Sequence, residues 1–518
     1  MTAFQKIWSF FERTKIYGYL IDKSDFIANN VFLSNFYKRF VKKFLVRWKI
    51  KQIFNSANRM SIEDSLNEFQ KYCNQVEEKK RVLFIGNICY STRIPFLIEI
   101  NKRNPNADFM LLVENAASKY KIINSFEYKG LKHPLDRKYM NFFICPGLFS
   151  KDRFPCYENK KVNRKIRKFV KNTDYLRYAE KNLRKRHYDM GKGYPTWYAY
   201  FANKYINELL DIINPEIVVM WNQFHAFHHI FDSICKERKI KTLYFEFGVL
   251  PGTYAFDKIG QMGESYPSLF YKKFLELPVS DEELKDAENM LEYLYKSEIN
   301  RKIQPQSFDL SDKIDSSKPT ILLIGQNDYE SGLFPYTEHT KKFHSPIFKS
   351  SDASAIYISK LAKKNGWNLI YKQHPLINSF ELAKDFGPNI IFVKDADINK
   401  LIDDSDLVIT ILSQTGYVST IRKKPTLMLG YTQLRGKGCT YEAFKKEDIE
   451  EVIKIALVNG YTEEQKDSFI KHIAQITKYY LFNDYLFTPQ ITYGKGIDEC
   501  ASLFEELLNA EVSKHAEN

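Results

Sequence analysis

The chain has 518 residues, 44% of them hydrophobic and 27% charged, which excludes a disordered chain and is too long for one compact core. A formal net charge of +14 asks for an anionic partner: a phosphorylated small molecule, an acidic membrane surface or nucleic acid. Seven scattered cysteines with no Cys-x-x-Cys pair argue against a disulfide framework or a cysteine zinc site, and no apolar run approaches the roughly 18 residues of a membrane span.

Residues 1–78 read as a basic helical extension, with aromatic residues such as Trp8, Phe11, Phe40 and Trp48 recurring among Lys38, Arg39, Lys42, Lys43 and Arg47. Such a segment suits an anionic membrane surface, or a helical subdomain with a solvated basic face. Residues 79–303 are expected to form a first Rossmann-like domain. It opens with a strand at 81–86, a helix near 95–101 and a strand at 108–113. A basic block from Lys160 to Lys171 suits a helix with a cationic face. The α/β rhythm resumes with strands at 216–220 and 242–245 around a helix carrying His225, His228 and His229. That histidine spacing can bind metal, but no nearby carboxylate or cysteine completes a set, so packing or cleft lining is expected.

Ser280, three residues before Glu283, marks a helix start, and the polar stretch 304–318 places a boundary. Residues 304–455 are expected to form a second Rossmann-like domain, with strands at 320–324, 368–372, 390–393, 407–412 and 426–429 and helices between them. Strands and helices alternating at this spacing predict parallel sheets covered on both faces. Residues 456–518 are expected to add C-terminal helices. The whole is an α/β chain of the architecture called GT-B, two Rossmann-like domains facing across a cleft.

Lys372 to Pro375 and Ser413 to Gly416 each lie where an apolar run ends. In parallel sheets ligands sit beyond the carboxyl ends of the strands, where loops and helix N-termini present N–H groups to an anion. His374 can donate to a phosphate or ribose, Lys372 adds charge, Pro375 fixes the turn, and Ser413, Thr415 and Gly416 open the next helix. Helix capping is the alternative for that second loop. In the first half, Glu246 and Asp257 lie on what reads as one glycine- and proline-rich loop; either can deprotonate an acceptor hydroxyl or attack an anomeric carbon. Asp395 and Asp397, like Asp404 and Asp406, are explained by capping and turns, so no metal is expected, and a nucleic-acid motif is absent.

The ordered set E-x-G-x-L-P-G-T from Glu246, D-x-x-G from Asp257, Gln326, K-x-H-P at Lys372, D-x-N-x-L from Asp397, S-x-T-G at Ser413, K-P-T-L-x-L-G from Lys424 and Tyr431 resembles the capsule polysaccharide synthesis proteins, including Kdo transferases, over roughly residues 80–450. The resemblance implies a metal-independent glycosyltransferase without a cofactor. It would use a CMP-activated acidic sugar, with His374, Ser413 and Thr415 on the CMP and Gln326 and Tyr431 completing the pocket. A first-domain acid would act on a glycan or lipid-linked acceptor. Related CMP-sugar transferases often carry two acids before the glycine, where this chain has Phe247, so Glu246 and Asp257 share the catalytic role. The expected location is cytoplasmic, peripheral on the membrane. The alternatives are transfer of glycerol phosphate from CDP-glycerol and a non-catalytic assembly or export scaffold.

Overall fold

The computed structural model describes residues 60–76, 79–86, 88, 93–113, 125–128, 131–134, 139–148, 160–186, 193–299, 313–375, 390–484 and 493–510. Most of the basic N-terminal segment and the 303/304 boundary lie outside the described residues.

Two sheets organise the chain. The first has seven strands in the order β15-β8-β7-β6-β1-β2-β5: β1 (Lys80–Ile85), β2 (Ala107–Val113), β5 (Asn141–Ile144), β6 (Ile217–Trp221), β7 (Lys241–Phe247), β8 (Thr253–Asp257) and β15 (Leu481–Asn483). A small separate ribbon pairs β3 (Ser125–Tyr128) with β4 (Leu131–Pro134). The five strands from β7 to β5 are parallel, with Val82 of β1 level with Phe109 of β2 and Ile217 of β6. Continuous apolar runs form these strands because both faces are covered. Leu83, Met110 and Val218 face α5 (Gly193–Ile213) and α6 (Ala226–Glu237), while Val82, Phe109 and Ile217 face α2 (Arg93–Lys102) and α16 (Ile497–Asn509). On the α5 side, α1 (Ile62–Gln75), α3 (Lys160–Asn172) and α4 (Asp174–Arg186) complete the layer. The anticipated cationic helix is α3: Ile166 and Val170 are buried while Arg164, Lys165, Arg167, Lys168 and Lys171 are exposed.

The second sheet is wholly parallel, in the order β11-β10-β9-β12-β13-β14: β9 (Thr320–Ile324), β10 (Asn368–Lys372), β11 (Ile390–Val393), β12 (Leu407–Thr410), β13 (Thr426–Met428) and β14 (Tyr441–Glu442). One face meets α11 (Ser351–Asn365) and α14 (Ile449–Asn459); the other meets α12 (Ile398–Asp403). The GT-B-like pair of Rossmann-type domains expected from the sequence is the architecture observed.

Two features depart from expectation. Glu246 and Asp257 do not share a loop: Glu246 is in β7 and Asp257 ends β8, paired antiparallel with Glu246 opposite Ala255 and Tyr244 opposite Asp257. Only 248–252 turns, Gly252 taking φ +70°, and a Cβ on Gly248 would lie 2.1 Å from Thr253 Oγ1. The glycines and proline of that turn masked the strand character on either side of it. The C-terminal segment, expected as helices alone, also supplies β15. After α15 (Glu463–Tyr479), opened by a Thr462–Gln465 capping box, the chain crosses back and pairs β15 antiparallel with β8. This strand covers an edge that would otherwise leave backbone groups unpaired. Helix α16 then sets Phe504 5.5 Å from both Phe109 and Phe256.

Because Phe504 is fully buried, Phe504→Ala is expected to destabilise the first domain by about 3–5 kcal/mol, read as a lower urea midpoint with the slope unchanged.

Candidate functional site

The carboxyl ends of the two sheets are turned toward each other, and polar contacts join them. Asn222, just past β6, donates its Nδ2–H to the Glu330 carbonyl at 2.9 Å, and His225 Nε2 lies 3.3 Å from Glu330 Oε1. Asn182 of α4 donates to the Phe334 carbonyl. The Phe224 ring meets His344 edge-on at 5.0 Å.

On the second-domain side, the predicted residues occupy neighbouring strand ends. Lys372 ends β10, and Gln373 continues its ladder by donating to the Val393 carbonyl at 2.8 Å. Lys372 Nζ lies 3.3 Å from the Lys394 carbonyl, and burial lowers the pKa of this lysine, with Asp395 opposing. His374, half-buried, and Pro375, exposed, follow it. Gln326, past β9, is used on all sides: its N–H donates to Ser351 Oγ, its Nε2–H to Ser331 Oγ, and its Oε1 accepts from Leu412 N–H at 2.8 Å. It braces the β9 loop against the β12 loop. Ser413 Oγ accepts from Thr415 N–H at 3.2 Å and donates to Thr415 Oγ1 at 2.9 Å, a local serine turn just before α13 (Thr415–Ile421). Gly416 leaves 3.2 Å between a notional Cβ and Met428 Sδ. Tyr431, past β13, donates its N–H to the His344 carbonyl at 2.7 Å and carries the Arg435 guanidinium 3.9 Å above its ring.

The two first-domain acids differ in what surrounds them. Asp257 is 3% exposed. Its carboxylate accepts from the N–H groups of Ile259 and Tyr266, both at 2.7 Å, from Gly260 N–H at 3.3 Å and from the Tyr480 hydroxyl at 2.9 Å. Burial raises its pKa and these four donors oppose the rise. Such a carboxylate holds the 258–266 turn in place. Glu246 points to the same sheet face, within electrostatic reach of Tyr480, and is only partly buried.

The turn that Asp257 holds brings in a residue the sequence did not single out. Glu264, in the 3₁₀ turn Met262–Glu264, places Oε1 2.9 Å from His339 Nε2 and 2.8 Å from His344 Nε2, both histidines coming from the second domain at α10 (Glu338–Phe343) and its end. Burial raises the pKa of Glu264, and hydrogen bonds and charge from the two imidazoles outweigh it, so the carboxyl stays well below its usual range. A Cβ on Gly263 would lie 1.8 Å from the Phe343 carbonyl oxygen. Glu264 is far in sequence from the two neighbouring histidines, and no spacing links it to them. Gln261 joins the same turn to the strand ends, accepting from Gln223 N–H and donating to the Phe245 carbonyl.

The His225, His228 and His229 set divides three ways. His225 lines the junction beside Glu330, His228 bonds the Asn222 carbonyl, and His229 stacks on Tyr178 at 3.9 Å. Burial lowers His229 to about 3, which makes it a neutral packing group. Among the described residues, the group of three able to hold a metal is instead Glu264, His339 and His344.

Residues 281–454 match the sequence profile of a family described as capsule polysaccharide biosynthesis protein. The resemblance read from the motifs is thereby borne out over that segment, about a third of the chain. No curated protein matches. Among solved structures, KpsC β-Kdo 2,7-transferase of Thermosulfurimonas dismutans is similar at 17% identity and TM-score 0.36, covering 59% of this chain and 89% of its own. The KpsC β-Kdo 2,4-transferase of that organism is similar at 14% identity and TM-score 0.34, covering 50% and 87%. A UDP-GlcNAc 2-epimerase from Neisseria meningitidis is similar at 11% identity and TM-score 0.30, covering 83% and 99%. Among the described residues no helix is long and apolar enough to cross a membrane.

Asp484, whose N–H donates to the Gly252 carbonyl at the hairpin turn, is a buried carboxyl raised by burial to about 8, with Tyr254 opposing. Its unfolded value is about 3.9, so between about pH 4 and 8 the folded chain holds a proton that the unfolded chain releases, and stability falls as pH rises through that window. Asp484→Asn is expected to remove this slope and to be the more stable protein at pH 8, by on the order of a few kcal/mol, as read from urea midpoints across the range.

Proposed function

We propose that the protein is a glycosyltransferase of capsular or surface polysaccharide synthesis that moves an acidic sugar, Kdo or a close relative, from a CMP-linked donor to a glycan or lipid-linked acceptor. The observation that carries the reading is the meeting of two sheets, one wholly and one largely parallel, at the carboxyl ends of their parallel strands. His374 follows β10 and Ser413 follows β12, the two strands flanking β9 in one sheet, and Glu246 lies near the carboxyl end of β7 in the other.

In this reading the donor nucleotide lies against the second domain. His374 and Lys372 meet its phosphate, while N–H groups at the opening of α13, with the Ser413 and Thr415 hydroxyls, complete the seat. Gln326 shapes the pocket through its brace and Tyr431 closes its far side. No cofactor takes part, and helix dipoles and cationic side chains are enough to hold the departing nucleotide without a metal.

Of the two acids, Glu246 is the one placed to act. It is partly accessible, whereas Asp257 is buried and its carboxylate holds the 258–266 turn and Tyr480. Glu246 takes the proton of the acceptor hydroxyl as it attacks the anomeric carbon, or attacks that carbon itself before the acceptor displaces it. Asp257 is a positioning residue. The membrane contact expected of the basic N-terminal segment falls outside the described residues and stays part of this proposal.

Purified protein offered CMP-Kdo, CMP-sialic acid, UDP-sugars and CDP-glycerol is expected to release nucleotide from a CMP-sugar; release from UDP-sugars alone would overturn the donor assignment. Glu246→Gln is expected to slow transfer by roughly 10²–10⁴-fold with the melting temperature held. Asp257→Asn should lower the melting temperature, and a stable, fully active Asp257→Asn together with an active Glu246→Gln would remove both acids from the account.

A further inference from the structure

We propose that Glu264, His339 and His344 bind a divalent transition-metal ion, with zinc as the working choice, and that this ion fastens the two domains together. Three observations converge. The ligand atoms Glu264 Oε1, His339 Nε2 and His344 Nε2 all lie within 4.8 Å of one another. Both imidazole nitrogens aim at a single carboxylate oxygen, at 2.9 and 2.8 Å. Two imidazoles and a carboxylate form a ligand set suited to zinc, nickel or cobalt rather than to magnesium or calcium, which prefer oxygen.

Ligands about 2.0–2.1 Å from zinc at tetrahedral angles stand roughly 3.4 Å apart, so the carboxylate must swing back by about half an ångström from the imidazoles, and the exposed His339 ring must adjust its separation from His344, now within 4.8 Å, to admit the ion. His344 is held in place. Its side chain is 1% exposed, it packs edge-on against Phe224, and its ring lies 2.9 Å from where a Cβ on Gly332 would stand. The side chain of His339 is 56% exposed, which gives an ion a path in and leaves room for a water as fourth ligand.

The ligands come from both domains. Glu264 belongs to the turn anchored by Asp257, and the histidines to α10 and its C-terminal end. An ion held by all three therefore binds only when the domains are in register, and its binding energy adds to that state. The role is architectural. It leaves the departing nucleotide to the helix dipoles and cations of the second domain, and it does not rest on the donor reading.

The test uses full-length, untagged protein stripped with a chelator and then titrated with zinc sulfate. Metal retained after gel filtration is counted by mass spectrometry and thermal unfolding is followed with and without zinc. One zinc per chain is expected, with a zinc-dependent rise in melting temperature; Glu264→Gln and His339→Ala should each cut retained metal at least tenfold and abolish the rise. If Glu264→Gln fails to fold, His339→Ala at the exposed ring still decides the matter. Retention below a tenth of an equivalent by the unaltered protein would overturn the site, as would stoichiometric zinc that both variants keep.

Discussion

A carboxylate with four donors holds this molecule's two halves in relation to each other. Asp257, sealed at the end of β8, fixes the backbone of 258–266 through Ile259, Gly260 and Tyr266 and ties it to α15 through Tyr480. A buried charge costs heavily unless its lone pairs are filled, and here they are filled by the turn itself. From that turn Gln261 reaches back to β6 and β7, and Glu264 reaches across to His339 and His344. With the turn free to move, the junction would lose its Glu264 link and keep only the contacts of Asn182, Asn222, Phe224 and His225 named above.

The second domain was legible because its chemistry follows a local rule. Each strand is a short apolar run, each loop begins where the run ends, and His374, Ser413 and Tyr431 stand at three such ends. The first domain was harder. Four apolar strands were readable and β5 was not, while the Glu246–Asp257 hairpin hid behind Gly248, Pro251 and Gly252, whose presence signals a loop while only turning the chain. The strand β15 was invisible because three residues carry no period, and its pairing with β8 depends on a crossing from the far end of the chain. Glu264, His339 and His344 share no motif, being brought together by the junction alone.

The same contrast divides the acids. Sequence pattern placed Glu246 and Asp257 on equal terms, since both sit near glycines and both belong to the ordered motif set. Burial separates them: Asp257 is sealed within the turn it holds and Glu246 is only partly buried. A sealed carboxylate and a partly exposed one sit two residue pairs apart on one hairpin, and their types do not distinguish them.

The central claim is that a cytidine nucleotide rests on the carboxyl edge of the second sheet. Amide hydrogen exchange of the full-length protein with and without CMP tests it most directly. The account predicts slowed exchange at 325–326, 372–374 and 413–416, with the strands of the first sheet unchanged. Protection that avoids all three of those segments while CMP is bound would contradict it.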